Sequence, residues 1–509
     1  HPDAIIILAK HVGNVNKKWL CSQRFFALFH RQKNAETILE NPLQNHFSAC
    51  IVIAIFNKKG CINMSQPTPI TAEQLEAFSE HYNADPVRKL ATTALSKSDM
   101  SDVAYVSAGA SQMRHKFSIE IPTLAVTNQK KSGRCWLFAS LNLLREKIAK
   151  EKGLASFELS QSYAAFWDKF ERANFFLEAI IETVALPTDD RVVAHILSTG
   201  VHDGGQWDMF KNLVAKYGIV PKDAMPETAQ SENTMLMNRL LNQALKAAAV
   251  HIREMAASGS ELEQISRYKV SVLDKIYGYL CSCYSEPPRR FDFEYVDKDG
   301  HYHIERDYTP QTFFETYIGS ALSETVSIIN APTDDKPYHR TYTVSMLGNV
   351  VGGEKVCYLN LPIAEFKEMI IRQLKNGELV WFGSDVGKSG NRSEGIWDTG
   401  AFDYELLTGL DLEISKKDGL DYRFSSMGHA MVLTGVNLDD SGMPTRWKIE
   451  NSWGSENGDK GYYVCSDAWF DRYVYQAVVN RSTLGDKAKL LDQEPIVLKP
   501  WDPMGSLAL

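Results

Sequence analysis

The 509-residue chain lacks most of the features that place a protein at sight. It has no apolar run near the ~20 residues that a membrane-spanning helix needs. Ala4 to Ala9 and Ala49 to Phe56 are far shorter, and no small-residue cleavage site follows either of them. It has no excess of positive charge: 55 Lys+Arg stand against 63 Asp+Glu, a net charge of −8. That excludes a basic nucleic-acid-coating protein as the default. Its eight cysteines are scattered and form no CxxC pair, which argues against a disulfide framework and for reduced thiols in a cytoplasmic-type compartment. No internal repeat and no low-complexity tract interrupts it. What remains is an ordinary globular composition, 44% hydrophobic and 23% charged, long enough for about three folding units.

Residues 1–63 differ from the rest. They contain no Met and hold eight basic residues against three acidic ones (Asp3, Glu36, Glu40), and the first Met is Met64. They read as sequence upstream of the natural start, with mitochondrial targeting as the alternative, since a transit peptide should be rich in Arg and Ser and this one is not.

After Met64 the pattern is orderly. Thr71-Ala-Glu-Gln74 has capping-box spacing and predicts a helix to about Asn83. Ile119 to Val126 is β-rich, with Pro122 marking it as edge or extended chain. A helix follows from Cys135 to about Lys152, closed by Gly153, and helical pattern covers Ser160 to Ala185. Two helical runs, 234–257 and 260–281, flank Ser258-Gly259. Phe291 to Val296 and His301 to Arg306 alternate around Asp297-Lys-Asp-Gly300 as a hairpin, and Thr309-Pro310 opens a short helix. Strands are expected at Ala430 to Gly435, Thr445 to Ile449 and Gly461 to Cys465. A helix-rich first half and a strand-rich second half predict an α+β fold with segregated parts. The last residues, 489–509, carry Pro495, Pro500 and Pro503. By themselves they read as an extended, non-helical arm frayed at its end.

The sharpest chemical signal is Gln129-Lys-Lys-Ser-Gly133-Arg-Cys135-Trp136. A thiol attacks only when ionised, and the unpaired N–H groups at a helix start favour the anion, so Cys135 should carry negative charge near neutral pH. The Gln129 amide and the Cys135 N–H form a candidate oxyanion hole. A thiolate needs an imidazole to hold and return its proton. Of thirteen histidines, His429 stands at the entry of the apolar strand Met427-Gly-His429-Ala-Met-Val-Leu. Asn451, in Glu450-Asn451-Ser-Trp453-Gly, lies at the end of the next strand. Its amide oxygen can accept from the ring and fix the tautomer, with Trp453 covering that bond. His301 and His303 share a hairpin face, but no further ligand completes a metal set, and no metal or cofactor is expected.

Cys135, His429 and Asn451, in this order and with these flanks, resemble the papain-type cysteine peptidases. The wider chain resembles the bleomycin hydrolases and the bacterial aminopeptidases of the same design. Glu450 before the Asn, a long insertion, and the tail Trp501-Asp-Pro-Met-Gly-Ser-Leu-Ala-Leu509 carry that likeness, which runs from about Gln74 to Leu509. Papain-type spacing puts the His about 130 to 150 residues after the Cys. Here 294 residues separate them, so a block must loop out.

The resemblance implies a two-lobed papain-like core, helical lobe plus β-barrel-like lobe. Residues 64–225 would form N-terminal helices and the Cys lobe, 226–345 the inserted helices and hairpin used for assembly, 346–488 the His/Asn lobe and 489–509 an arm. It implies a homohexamer, with Trp136 and Trp453 as supporting side chains. Gly204 and Gly205 of Asp203-Gly-Gly-Gln-Trp207 would be a cleft wall for a peptide backbone. The arm would lie in that cleft, with Ala508, after loss of Leu509, presenting the carboxylate that pairs with a substrate's free N terminus. The function implied is a cytoplasmic cysteine aminopeptidase acting on peptide or amide substrates. A papain-type endopeptidase, or a ring-forming nucleic-acid-binding or scaffold protein, is the rival. The first lacks a signal peptide and disulfides, and the second is opposed by the net charge of −8.

Overall fold

The computed structural model describes residues 68–508. The segment 1–63, read above as upstream or targeting sequence, and Leu509 lie outside the described residues. The described residues fall into two units, divided between Pro86 and Val87. In the first, α1 (Ala72–Ala84) begins at the expected capping box: Thr71 Oγ1 accepts from Gln74 N–H, and the Gln74 side chain accepts from Thr71 N–H.

In the second unit the helical layer comprises α2 (Cys135–Lys152), α3 (Gln161–Glu182), α4 (Trp207–Tyr217), α5 (Met235–Ala257) and α6 (Leu262–Tyr284). Helix α2 buries Trp136, Leu137, Leu141, Leu144 and Ile148. It stops at Gly153, whose φ of 64° suits a residue without Cβ and lets its N–H reach Ala149 O. Helix α3 starts where the Ser160 hydroxyl accepts from Tyr163 N–H. The hairpin is present as β2 (Phe291–Val296) and β3 (Tyr302–Tyr308), distinct from the main sheet and followed by α7 (Pro310–Tyr317) with Pro at its first position. Of the β-rich stretch 119–126 only two residues pair, as β1 (Ile119–Glu120), because Pro122 has no N–H to give a ladder.

One large sheet holds the remaining strands. Its first members are β4 (Thr325–Ile329), β5 (Thr341–Val344), β6 (Tyr358–Asn360) and β7 (Val380–Ser384). Strands β4 and β5 lie inside the stretch 226–345 that reads as insertion. The short β8 (Gly390–Asn391) and β9 (Ile396–Trp397) follow, then β10 (His429–Leu438), β11 (Pro444–Glu450), β12 (Tyr462–Ser466), β13 (Val474–Asn480) and β14 (Ile496–Leu498). The order is β14-β5-β6-β4-β13-β7-β10-β11-β12-β9-β8, with β1 branching from β10. The path has two ends, so the lobe is not a closed barrel. At the branch, a Cβ on Gly435 would stand 2.6 Å from Ile119 O, so only glycine lets β1 approach.

The middle strands face two cores at once, which explains their unbroken apolar runs. On β7, Trp381 joins the core shared with α2 and α3, while Val380 and Phe382 join a second core with α8 (Ile363–Lys375) and α9 (Asp467–Tyr473). On β10, Ala430 and Val432 face the first core and Met431 and Leu433 the second. The sheet thereby carries β10, and His429 at its start, against the helix that begins with Cys135.

The arm departs from the expectation of an extended, frayed end. Strand β14 pairs parallel with β5, and Pro503–Ala508 forms a short 3₁₀ turn. Pro503 has the fixed φ that suits a helical start. Asp502 caps the turn, accepting Met504 N–H on its side chain and Gly505 N–H on its carbonyl. Met504, Leu507 and Ala508 are all at most 3% exposed.

Candidate active site

Cys135 is the first residue of α2, preceded by Arg134 with no side-chain cap and no acidic residue in the first turn, so the free N–H groups of the helix end favour the anion, opposed from outside the helix by the Asp203 carboxylate. Arg134 is itself buried and points away, held by paired bonds of 3.2 and 2.8 Å to the Glu227 carboxylate. The sulfur accepts from Ala430 N–H at 3.4 Å, which fixes it against the first peptide of β10. His429, the residue before, bonds through Nε2 to Asn451 Oδ1 at 2.9 Å. A carbonyl oxygen requires the proton on Nε2, leaving Nδ1 as the lone-pair nitrogen. Trp453 lies over the imidazole, ring centroids 4.7 Å apart.

Gln129 is tied to the same corner. Its backbone N–H reaches Ser452 O, its Oε1 accepts the Ser452 hydroxyl at 2.6 Å, and its Nε2 donates to Ser132 O at 2.6 Å. An amide nitrogen has two hydrogens, so one remains beyond the bond to Ser132. Cys135, His429, Asn451 and Gln129, more than 300 positions apart at their extremes, are thus gathered at one joint between α2 and the sheet.

Glu450 stabilises that joint from beneath. Buried at the end of β11, it accepts from Asn142 Nδ2 at 2.8 Å and Arg145 at 3.0 Å, both on α2. Burial pushes its carboxyl up to about 7, against the pull of Arg145.

Gly204 and Gly205 form a wall without side chains. A Cβ on Gly205 would stand 2.4 Å from the Trp136 ring, and one on Gly204 2.3 Å from Leu507 O, with Ala508 Cα close behind. The arm therefore lies backbone to backbone on Gly204, while Gly205 packs on the Trp136 ring. Ser506 donates to Met427 O at 2.7 Å, two residues before His429. Further back, Tyr358 OH donates to Met504 O at 3.0 Å, Lys336 pairs with Asp502 at 2.9 Å, and the Arg191 guanidinium stacks 3.7 Å over the Trp501 ring. A cavity beside Ala508 is lined by Phe175, Phe176, Ile196, His202 and Arg172.

The thiolate expected from the helix end meets an opposing effect. Burial pushes the Cys135 thiol up, to about 11, against the N–H groups of Ala430 and Trp136. Burial likewise pushes His429 down to about 4, against its bond to Asn451. Both groups are held toward their neutral forms, because exclusion of water penalises each charge. The N–H groups of Ala430 and Trp136 are the counterweight at the sulfur.

Several residues of this site carry no obvious sequence signal. Arg134, Glu227, Lys336 and Tyr358 act through partners far along the chain. Asp203 had one: a carboxylate immediately before a glycine pair, which gathers four donors, including Gly133 N–H at 2.9 Å. His301 and His303 do converge, though on a single carboxylate, Asp297.

A helix-capped cysteine facing a strand-borne His–Asn pair across a two-layer joint defines a papain-like cysteine peptidase. Residues 69–505 match the Peptidase C1-like family, and the chain belongs to it. It is 47% identical over 443 residues to an aminopeptidase C of Lactobacillus delbrueckii, covering 86% of this chain and 98% of that protein. It is 39% identical over 449 residues to the bleomycin hydrolase of Mus musculus, covering 86% and 99%. The crystal structure of PepW from Lactobacillus rhamnosis superposes with a TM-score of 0.85 at 48% identity, covering 86% of this chain and 99% of that one.

Proposed function

We propose that this cysteine aminopeptidase removes residues from free N termini of peptides and related amides through an acyl-enzyme on Cys135. The thiol proton passes to Nδ1 of His429 as sulfur attacks the first carbonyl. The resulting oxyanion is held by the Cys135 N–H and Gln129, and Asn451 keeps the imidazole aimed while it returns the proton to the leaving amine. Water then releases the acid. Trp136 and Trp453 keep the pair packed. The arm fills the groove on the far side of the scissile bond along Gly204 and Gly205, so only a substrate ending there fits, and the carboxylate of the mature end, Ala508 once Leu509 is removed, pairs with its α-ammonium.

The observation that carries this reading is the seating of Leu507 and Ala508 on Gly204, against the wall that packs Trp136 beside Cys135. An endopeptidase needs that groove open. In the same reading the enzyme works in the cytoplasm as a homohexamer built through the inserted helices and hairpin, and light scattering at six chain masses is the check.

Replacing Cys135 by Ala tests the chemistry. Hydrolysis of amino-acid arylamides should fall by at least about 10⁴-fold with the circular dichroism unchanged. Hydrolysis at more than a tenth of the wild-type rate would reject the assignment.

A further inference from the structure

Asp203 sits where three parts of the molecule meet. Its Oδ1 accepts from Lys169 on α3 at 2.6 Å and from Asn238 on α5 at 2.8 Å. Its Oδ2 accepts from Gly133 N–H at 2.9 Å, two residues before Cys135, and from the hydroxyl of Thr234, which precedes α5. Its carbonyl accepts the Trp136 indole N–H at 2.6 Å. The next residue, Gly204, is the one on which the arm rests, and its own carbonyl is bound by Arg172. One residue thus touches the nucleophile loop by two bonds, adjoins the arm seat, and draws two of its four side-chain donors from the inserted helix region.

The pattern is more than a satisfied buried charge. Lys169 alone would neutralise Asp203, and Lys169 is held independently by His202 O. Thr234 and Asn238 add no charge; they set where the carboxylate stands. A shift of Asp203 would carry Gly204 with it, because adjacent Cα atoms are fixed about 3.8 Å apart. It would also move Gly133, where a Cβ would stand only 3.0 Å from Asp203 Cβ, a fit with no slack. The insertion therefore has a role inside the site besides any in assembly.

We propose that Asp203 is a positioning residue through which the inserted helix α5 holds the arm seat and the Cys135 loop in one register, so that the insertion sets the preference for free N termini. This rests on the aminopeptidase reading above. It requires that loosening Asp203 separates two activities instead of lowering both together.

The experiment compares an amino-acid arylamide with its N-acetylated form as substrates for the full chain. In Asp203→Asn, and in the double variant Thr234→Val/Asn238→Leu that keeps the Asp203–Lys169 pair, KM for the free-amine substrate should rise. The ratio of blocked to free hydrolysis should rise about tenfold, with the double variant moving less but in the same direction. A mere loss of stability would lower both activities and leave the ratio alone. The double variant decides the case if Asp203→Asn does not fold. A ratio within twofold of wild type in the double variant would overturn the proposal, whatever Asp203→Asn does. Failure of the aminopeptidase reading would show separately, as arylamide hydrolysis surviving Cys135→Ala.

Discussion

The segment leading to Cys135 and the arm ending at Ala508 both lie at the site, and differ in that the first opens a long helix while the second ends in a single short turn. Residues 129–135 combine one local turn, Gln129 Nε2 to Ser132 O, and the start of α2 with anchors from Ser452, Asp203 and Glu227. The arm has little internal structure beyond one capped turn. Its order comes from Arg191, Lys336, Tyr358 and Gly204, none of which is near it in sequence. On the proposed mechanism the first region acts on whether a bond can be broken, and the second on which bond. Substitutions in the cysteine region should therefore scale all hydrolysis together, and those in the arm should change the ratio between blocked and free substrates.

The largest effect that sharpens this contrast is expected at Asn451. Its oxygen is the only hydrogen-bond partner holding His429 Nε2 among the described residues. In Asn451→Ala the ring can turn, and a misplacement on the order of 1 Å lowers kcat about 10²-fold. Free and N-acetylated arylamides should lose activity equally. A selective loss of one would mean that the two regions are not separable in this way.

Deletion of Ser506 to Leu509 should do the reverse. Hydrolysis of blocked peptides should rise by about one to two orders of magnitude, and that of free amines should fall through KM. The same deletion lets water reach Cys135. Burial is the main cause that holds the thiol up, so its pKa should fall and iodoacetamide should label it faster at pH 6 than in the full chain. Equal labelling rates would remove the arm from the electrostatics of the site.

Lys336 offers a gentler release. It pairs with Asp502 where both side chains are under 10% exposed, and removing one partner of such a pair costs about 3 kcal/mol or more. A terminal arm can detach without global unfolding, so the cost should appear as a larger fraction of open arms. Lys336→Met should raise blocked-substrate hydrolysis several-fold, less than the deletion, and speed carboxypeptidase digestion past Ala508. A lowered melting temperature with an unchanged ratio would place Lys336 in the fold and outside the gate.

What was legible in the sequence follows the same division. The capping box at Thr71, the helix from Cys135 to Gly153, the paired runs of α5 and α6, the hairpin and the late strands all declare themselves through spacing of 2 or 3.6 and through turn residues, because their causes are local. The meeting of Cys135, His429 and Asn451 was legible because a candidate nucleophile at a helix start, an imidazole at a strand entry and an amide after the next strand need recognisable flanks. The arm was misread from its own residues. Three prolines and a small, uncharged end argue for an exposed tail, and burial of Met504 and Leu507 depends on surfaces contributed by β6, β7 and the Gly204–Gln206 segment. Asp203 escaped for a related reason: its donors come from three separate segments, and only the adjoining glycines hinted at a role. The ionisation of Cys135 was inferred from the helix end and the His429 ring, which omits the burial that pushes the thiol up.

The smallest effect tests the joint beneath the nucleophile. Glu450 has an ordinary carboxyl value of about 4.3 in the unfolded chain and is pushed up to about 7 by burial in the fold. Folding therefore favours its protonated form. The stability it contributes is complete below about pH 4 and is lost as pH rises through 7. Glutamine cannot ionise but keeps an acceptor for Asn142 and Arg145, so Glu450→Gln should resemble the wild type at pH 5 and gain on it toward pH 8, by a few degrees in melting temperature. The blocked-to-free ratio should not move, since Glu450 supports Asn451 and α2 and touches nothing in the arm. A difference in melting temperature that is constant with pH, or that shrinks as pH rises, would mean that Arg145 keeps Glu450 ionised throughout and that the joint is an ion pair at every pH of interest.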